Sequence, residues 1–233
     1  MLGGGFFLLS VERDPDGRVQ PARAVVDGRR SAKTEVYSVD HLHGMEPLFS
    51  DIYAAARLQG IPAETVISEY APGQYELTLN YRKNIMQAAD DRVLLKRLVR
   101  AQARRHGVTA CFMAKPIEKY AGSGMHLHVS LLDDKGANVF AEKDGEEWSP
   151  TLLHALGGLT ATMAESMLVF APHLNSWRRF ANQSYAPVST AWGANNRSVA
   201  LRVPEGDIAA LAGLVLALSG AFSDPALPLW HRI

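Results

Sequence analysis

Apolar positions recur along the chain with two periods, and the change of period marks the elements. Residues 5–12 are short, apolar and aromatic, which predicts a strand ending at the turn Asp14-Pro15-Asp16-Gly17. Residues 46–59 place Leu48, Phe49, Ile52, Tyr53 and Ala56 near helical spacing, with Pro47 in the first turn and Gly60-Ile61-Pro62 as the stop. Residues 65–70 and 75–80 read as two strands about Ala71-Pro72-Gly73. Residues 91–106 form an amphipathic pattern, with Leu94, Leu95, Leu98 and Ala101 on one stripe, Arg and Lys on the other face, and Gly107 beyond the end. A strand at 109–114, another at 126–132 with a turn at 133–136, and a helix at 149–170 follow. Strands at 189–192 and 198–203 bracket 193–197, and 208–220 predicts a last helix. Hairpin-like strand pairs with interspersed helices predict an α+β fold, with a mainly antiparallel sheet flanked by helices. No repeat or linker divides the pattern, so 1–233 reads as one domain.

Composition narrows the function classes. The 233 residues carry 24 Lys+Arg and 24 Asp+Glu, a formal net charge of zero. That balance argues against a nucleic-acid surface or a polybasic membrane patch. The longest apolar runs are 148–164 and 208–223. As a helix the second spans roughly 24 Å, short of a hydrocarbon core of about 30 Å. The first residues lack the basic region of a secretory leader, so a cytoplasmic protein with no membrane partner is expected. The single cysteine, Cys111, excludes a disulfide framework within these residues.

Three clusters could carry chemistry. Glu69 and Glu76 flank a Pro-Gly turn, where a hairpin can turn both carboxylates to one side and hold a hard cation. Two solvated strand-end glutamates are the plainer reading. His126, His128 and Ser130 alternate on a predicted strand and so share a face, preceded by Gly122-Ser123-Gly124, whose backbone can approach an anion. A half-exposed polar strand face is the alternative. Arg178, Arg179, Arg197 and Arg202 lie in a stretch without Asp or Glu between Glu165 and Glu205. Guanidiniums without carboxylate partners nearby in sequence call for external anions. Carboxylates and a histidine for cations, with arginines for anions, are the equipment of phosphoryl transfer.

Jointly these clusters resemble the glutamine synthetase family. The matching pieces are Glu69…Pro-Gly-Gln74-x-Glu76, Phe112-Met113-Ala114-Lys115-Pro116, Gly122-Ser-Gly-Met-His126-x-His128-x-Ser130, Asn175-Ser-x-x-Arg179, Ala186-Pro187, and Asn196-Arg197-Ser198 followed by Arg202-Val-Pro204. The resemblance implies the glutamine synthetase catalytic-domain (guanido kinase-like) fold and a ring-type homo-oligomer. It implies Glu69 and Glu76 as ligands of one Mg²⁺ or Mn²⁺ and His126 as a ligand of a second. Glu64, His128 and Ser130 would contact ATP, and Gly122 would offer backbone to glutamate. Arg179 would grip a substrate carboxylate, while Arg197 and Arg202 would stabilise the phosphoryl group. The implied reaction phosphorylates the glutamate γ-carboxylate with ATP, and an amine then attacks the acyl phosphate.

Departures from the family pattern matter equally. The family's first metal strand carries Glu-x-Glu before an aromatic pair, where this chain has Gly3-Gly4-Gly5-Phe6-Phe7. The small N-terminal β-domain and the Arg-rich strand beyond Arg202 also lack counterparts, so the domain reads as incomplete. In the ammonia-using enzymes a Glu precedes Ala-Pro and an Asn precedes Gly-Ser-Gly. Here those positions are Tyr185 and Ala121, and Ala121 is shared with relatives that resemble γ-glutamylpolyamine synthetases. A phenol, with an ordinary pKa of about 10, offers no charge to hold ammonium, and its ring can pack on an alkyl chain. An organic amine or polyamine is therefore the expected acceptor. A glutamine synthetase using ammonia, with Tyr185 merely packed beneath the site, is the alternative. A non-catalytic family member with a structural or sensing role is the other.

Overall fold

The computed structural model describes residues 2–141, 148–180, 186–204 and 214–218, the last as backbone. They fall into two compact units, Met1–Ser123 and Gly124–Ala221.

In the first unit, β1 (Leu2–Ser10) is buried on both faces. Phe6 and Leu8 enter one apolar cluster, Phe7 and Leu9 another. Period-two alternation makes that division, and a strand apolar on both faces must lie inside. The helices α1 (Val39–Gly44) and α2 (Glu46–Leu58) come next. α2 buries Leu48, Phe49, Ile52 and Ala56 of the stripe its spacing predicts, and leaves Tyr53 half-buried. α1 buries no side chain and so leaves no periodic trace in the sequence.

β2 (Ala63–Ser68) and β3 (Gln74–Leu79) form the expected hairpin, and β3 pairs antiparallel with β1. α3 (Ile85–Arg105) begins six residues before the predicted start. Asn84 accepts from the amides of Met86 and Gln87 at 2.9 and 3.2 Å, while Ile85 and Met86 are exposed. The cap rather than an apolar stripe therefore sets this end. The stripe is also rotated from expectation: Asp91, Arg92, Leu95, Leu98, Val99, Gln102 and Ala103 are buried, and Leu94 is exposed. β4 (Val108–Cys111) returns antiparallel to β1.

In the second unit, β5 (Met125–Val129) precedes α4 (Pro150–Thr162), which Ser149 caps through Leu152 N–H at 3.2 Å. The predicted helix over 149–170 is not continuous. A turn over 163–166 separates α4 from α5 (Met167–Phe170), and α6 (Leu174–Trp177) follows. β7 (Leu201–Val203) falls within the expected 198–203, but β6 (Trp192–Ala194) shares only Trp192 with the expected 189–192, and the two strands run parallel. β8 (Leu214–Leu218) overturns the helix expected at 208–220 where that range is described, pairing antiparallel with β5 and β7. Leu-Val-Leu-Ala-Leu is a short apolar run, and such runs satisfy a buried strand as well as a buried helix. The rest of 208–220 lies outside the described residues. The core here gathers Met125, Leu152, Leu156, Met163, Leu201 and Val203. All described strand pairs within the units except β6–β7 are antiparallel, as the α+β reading requires. Among the described residues no helix is long and apolar enough to cross a membrane.

Candidate active site

The hairpin places two carboxylates by register. Ile67 pairs with Glu76 and Ser68 with Tyr75, and Glu69 N–H donates to the Gln74 carbonyl at 2.8 Å. Tyr75, Leu77 and Leu79 enter the core, so Glu76 takes the opposite face together with Gln74 and Thr78. Glu69, opposite Gln74, shares that face, as its place beside the turn predicts. The turn is tight: Gln74 N–H donates to the Ala71 carbonyl at 2.9 Å. Gly73 has φ +72°, and a Cβ there would lie 2.9 Å from the Leu8 carbonyl oxygen, so only glycine fits.

Opposite the carboxylates lies the triglycine of β1. A Cβ at Gly3 would overlap Glu76 Oε1, and one at Gly4 would overlap the Arg92 guanidinium. The carboxylate and the cation thus occupy space that ordinary side chains on β1 would claim. Arg92 is buried, its Cζ 5.7 Å from the centre of the Phe112 ring. Burial lowers its pKa to about 10, while the charge of Glu76 acts in the opposite sense. Arg92 was missed by sequence reasoning, which assigned the basic residues of this helix to its outer face. Its position three residues before Leu95 puts it on the apolar stripe and was the available signal.

Glu64 lies near the start of β2, exposed. Its carbonyl accepts from the Tyr53 hydroxyl at 3.3 Å, and its carboxylate meets the Asn80 amide, turned to donate, at 2.9 Å. Nothing in these contacts draws it to Glu69 and Glu76. Gly122 and Ser123 are held by Gln74, whose Nε2 donates to the Gly122 carbonyl at 3.0 Å and to Ser123 Oγ at 3.3 Å.

In the second unit, Met125 and Leu127 of β5 turn toward the core, so His126 and His128 share the other face, as the His-x-His spacing predicts. Ser130 stands just past the strand. Arg179 follows α6 and packs on Gly124, where a Cβ would lie 2.7 Å from Nη1 and 3.1 Å from Nη2. The last glycine of Gly-Ser-Gly therefore makes room for this guanidinium.

Arg202 sits on β7 between the buried Leu201 and Val203 and is half-buried. Burial lowers its pKa, and the charge of Arg197 lowers it further. Its Nε is buried without a hydrogen-bond partner among the described residues. An anion beside Arg202 would relieve both the burial of its charge and the repulsion from Arg197. The turn carrying Arg197 is ordered by Asn196 Oδ1, which accepts from Ser198 N–H at 2.9 Å and Ser198 Oγ at 2.7 Å. Tyr185 lies outside the described residues. A separate apolar cavity of about 310 Å³ in this unit is lined by Met163, Met167, Phe170, Trp177, Phe180 and Val188 among others, with no ionisable group.

The donor set for a divalent cation is short. Among the described residues no three His, Cys, Asp or Glu side chains come together as ligands. Hard cations take about six or more oxygens. Glu69 and Glu76 share a face, but β1 offers glycines where further carboxylates would stand. A complete metal centre does not fit these residues.

Residues 4–211 match the family model described as glutamine synthetase, catalytic domain. The chain is 45% identical over 202 residues to gamma-glutamylputrescine synthetase PuuA of Escherichia coli (strain K12), covering 87% of this chain and 43% of that protein. It is 35% identical over 167 residues to glutamate–isopropylamine ligase of a Pseudomonas species, covering 71% and 36%. A solved GmaS–ADP complex superposes with a TM-score of 0.74 at 26% identity, covering 94% of this chain and 50% of that one. The chain thus spans less than half the length of these curated relatives.

Proposed function

Since the chain belongs to the glutamine synthetase family by its catalytic domain, we propose that the whole protein is an ATP-dependent ligase joining the γ-carboxylate of glutamate to an organic amine. The observation that carries the reading is the 45% identity, over 87% of the chain, to a protein named for putrescine as its amine. A second relative is named for isopropylamine. ATP as co-substrate is supported by the ADP in the GmaS complex and by the half-buried cation Arg202, whose Nε is unpartnered among the described residues. Residues 4–211 run through both compact units, which supports treating 1–233 as part of one catalytic domain.

In this reading a γ-carboxylate oxygen of glutamate attacks the terminal phosphorus of ATP. The bond to the bridging oxygen breaks, and ADP leaves. The amine nitrogen then attacks the acyl carbon, the C–O bond breaks to release phosphate, and the nitrogen gives up a proton. Arg179 binds the substrate carboxylate. Arg197 and Arg202 neutralise charge on the phosphoryl oxygens. Glu64, His128 and Ser130 contact the nucleotide, Gly122 presents backbone to glutamate, and Tyr185 is assigned to the amine by its place before Ala-Pro in the sequence. Glu69, Glu76 and His126 are the residues left to hold Mg²⁺ or Mn²⁺. Glu69 and Glu76 form a partial site that water must complete.

The test is phosphate release by the full-length protein with ATP and glutamate, comparing putrescine, monoamines and ammonium. Turnover fastest with an organic amine is expected, and faster turnover with ammonium than with every amine refutes that acceptor class. A second reading, a ligand-binding member without catalysis, is favoured by Gly3 and Gly5 standing where the family has carboxylates. It predicts ADP binding by calorimetry with no phosphate release under any amine.

A further inference from the structure

Gln74 lies just past the Pro-Gly turn of the carboxylate hairpin. Its side chain is 3% exposed, and each polar atom of its amide is used. Oε1 accepts from Ala71 N–H at 3.1 Å. Nε2 donates to the Gly122 carbonyl at 3.0 Å and to Ser123 Oγ at 3.3 Å. The same residue's backbone closes the turn, through Ala71 on one side and Glu69 on the other. One residue therefore ties the carboxylate hairpin to a loop 48 residues further along.

The carbonyl of Gly122 and the N–H of Ser123 belong to one peptide group. Ser123 N–H donates to the Ala114 carbonyl at 2.7 Å. That peptide plane is thus clamped at both edges, by Gln74 at its oxygen and by Ala114 at its hydrogen. β1 closes the third side, since a Cβ at Gly5 would lie 3.1 Å from Ser123 Cβ. A carbonyl oxygen has two acceptor sites, and Gln74 takes one, leaving the second with a fixed direction. A group that sets direction without touching the ligand changes binding through the loop it holds.

We propose that Gln74 is a positioning residue whose amide orients the Gly122 peptide for glutamate. The proposal rests on the ligase reading for its kinetic consequence, though not for its structural one. A glutamate at 74 keeps the shape but removes the donor and sets carboxylate oxygen against carbonyl oxygen. A methionine keeps the volume and removes the donor without charge.

The experiment uses the full-length protein carrying Gln74→Met or Gln74→Glu, with Ser123→Ala as a milder variant should either fail to fold. Two quantities are read. Hydrogen–deuterium exchange over 121–124 is expected to quicken about tenfold in Gln74→Met, with 91–105 in α3 unchanged. KM for glutamate is expected to rise about tenfold while KM for ATP moves less than twofold. Unchanged exchange over 121–124 overturns the clamp. Equal shifts of both KM values reduce Gln74 to general support and overturn the positioning role. If the unaltered protein shows no turnover with any amine, the ligase reading has failed, and the exchange result alone still decides the clamp.

Discussion

Arg92 is a guanidinium 4% exposed, lying over Phe112 and in space left by Gly4. Its Nε has no hydrogen-bond partner among the described residues. Buried charge is costly, and removing one partner is severe only when the other is left buried and unpaired; Glu76, the opposite charge here, is half-buried and keeps access to water. Arg92→Met is therefore expected to leave stability within about 1 kcal/mol of the parent or to raise it, as read from urea denaturation. A loss of several kcal/mol contradicts this. The pH dependence follows from the sign of the shift. Burial lowers the folded pKa to about 10, so the unfolded chain binds more protons only from there up to the guanidinium's ordinary, higher pKa. The burial penalty is fully present below about pH 10 and is relieved as pH rises through that window. The difference between Arg92→Met and its parent should accordingly stay flat from about pH 6 to 9. Position 92 shows where sequence reasoning falls short at this scale. Glu69 and Glu76 were legible because a two-residue period and a Pro-Gly turn determine faces. Arg92 was not, because charge was weighted above its register with Leu95.

At the scale of elements, α3 takes its start from Asn84 and not from its apolar stripe. Asn84 satisfies two otherwise orphaned amides, those of Met86 and Gln87. Asn84→Ala should cost about 1 kcal/mol, seen as a lower urea midpoint with an unchanged slope. A shift below about 0.3 kcal/mol would show that tertiary contacts such as Arg82 to Asp91, at 2.7 Å, hold this end instead. Legibility varied here with the kind of signal. α2 was read nearly to its ends because Pro47, a four-residue apolar stripe and Gly60 agree. α1 buries nothing and was invisible. At 214–218 a five-residue apolar run gave no period to decide between helix and strand, and pairing with β5 and β7 decides it.

On the scale of the whole molecule, both compact units build an apolar core and both leave large apolar side chains open, Leu58 and Ile85 of the first at 90% and 78% exposed. The first packs Phe6, Leu8, Leu48, Ile52, Leu77 and Leu95 into one cluster. In the second, α4 buries only Leu152 and Leu156 and α5 none. Leu168, Leu174 and Val188 are 80%, 90% and 72% exposed. With the family's ring assemblies in view, light scattering of the full-length protein should give a homo-oligomer, and a clean monomer refutes that assembly. The α+β class with its mainly antiparallel sheet could be read from the sequence because strands arrived in hairpin pairs. The division into two compact units could not, since no change of composition marks residue 123.

The triglycine of β1 also limits what the strand can accept. Glu76 and Arg92 occupy the room that Gly3 and Gly4 leave. A carboxylate at position 3 would require Glu76 to swing aside. It would also add negative charge beside a carboxylate whose nearby cation, Arg92, belongs to the opposite face of the strand. A larger side chain at position 3 or 4 therefore needs an accommodating change in its neighbour, so these positions tolerate paired substitutions better than single ones.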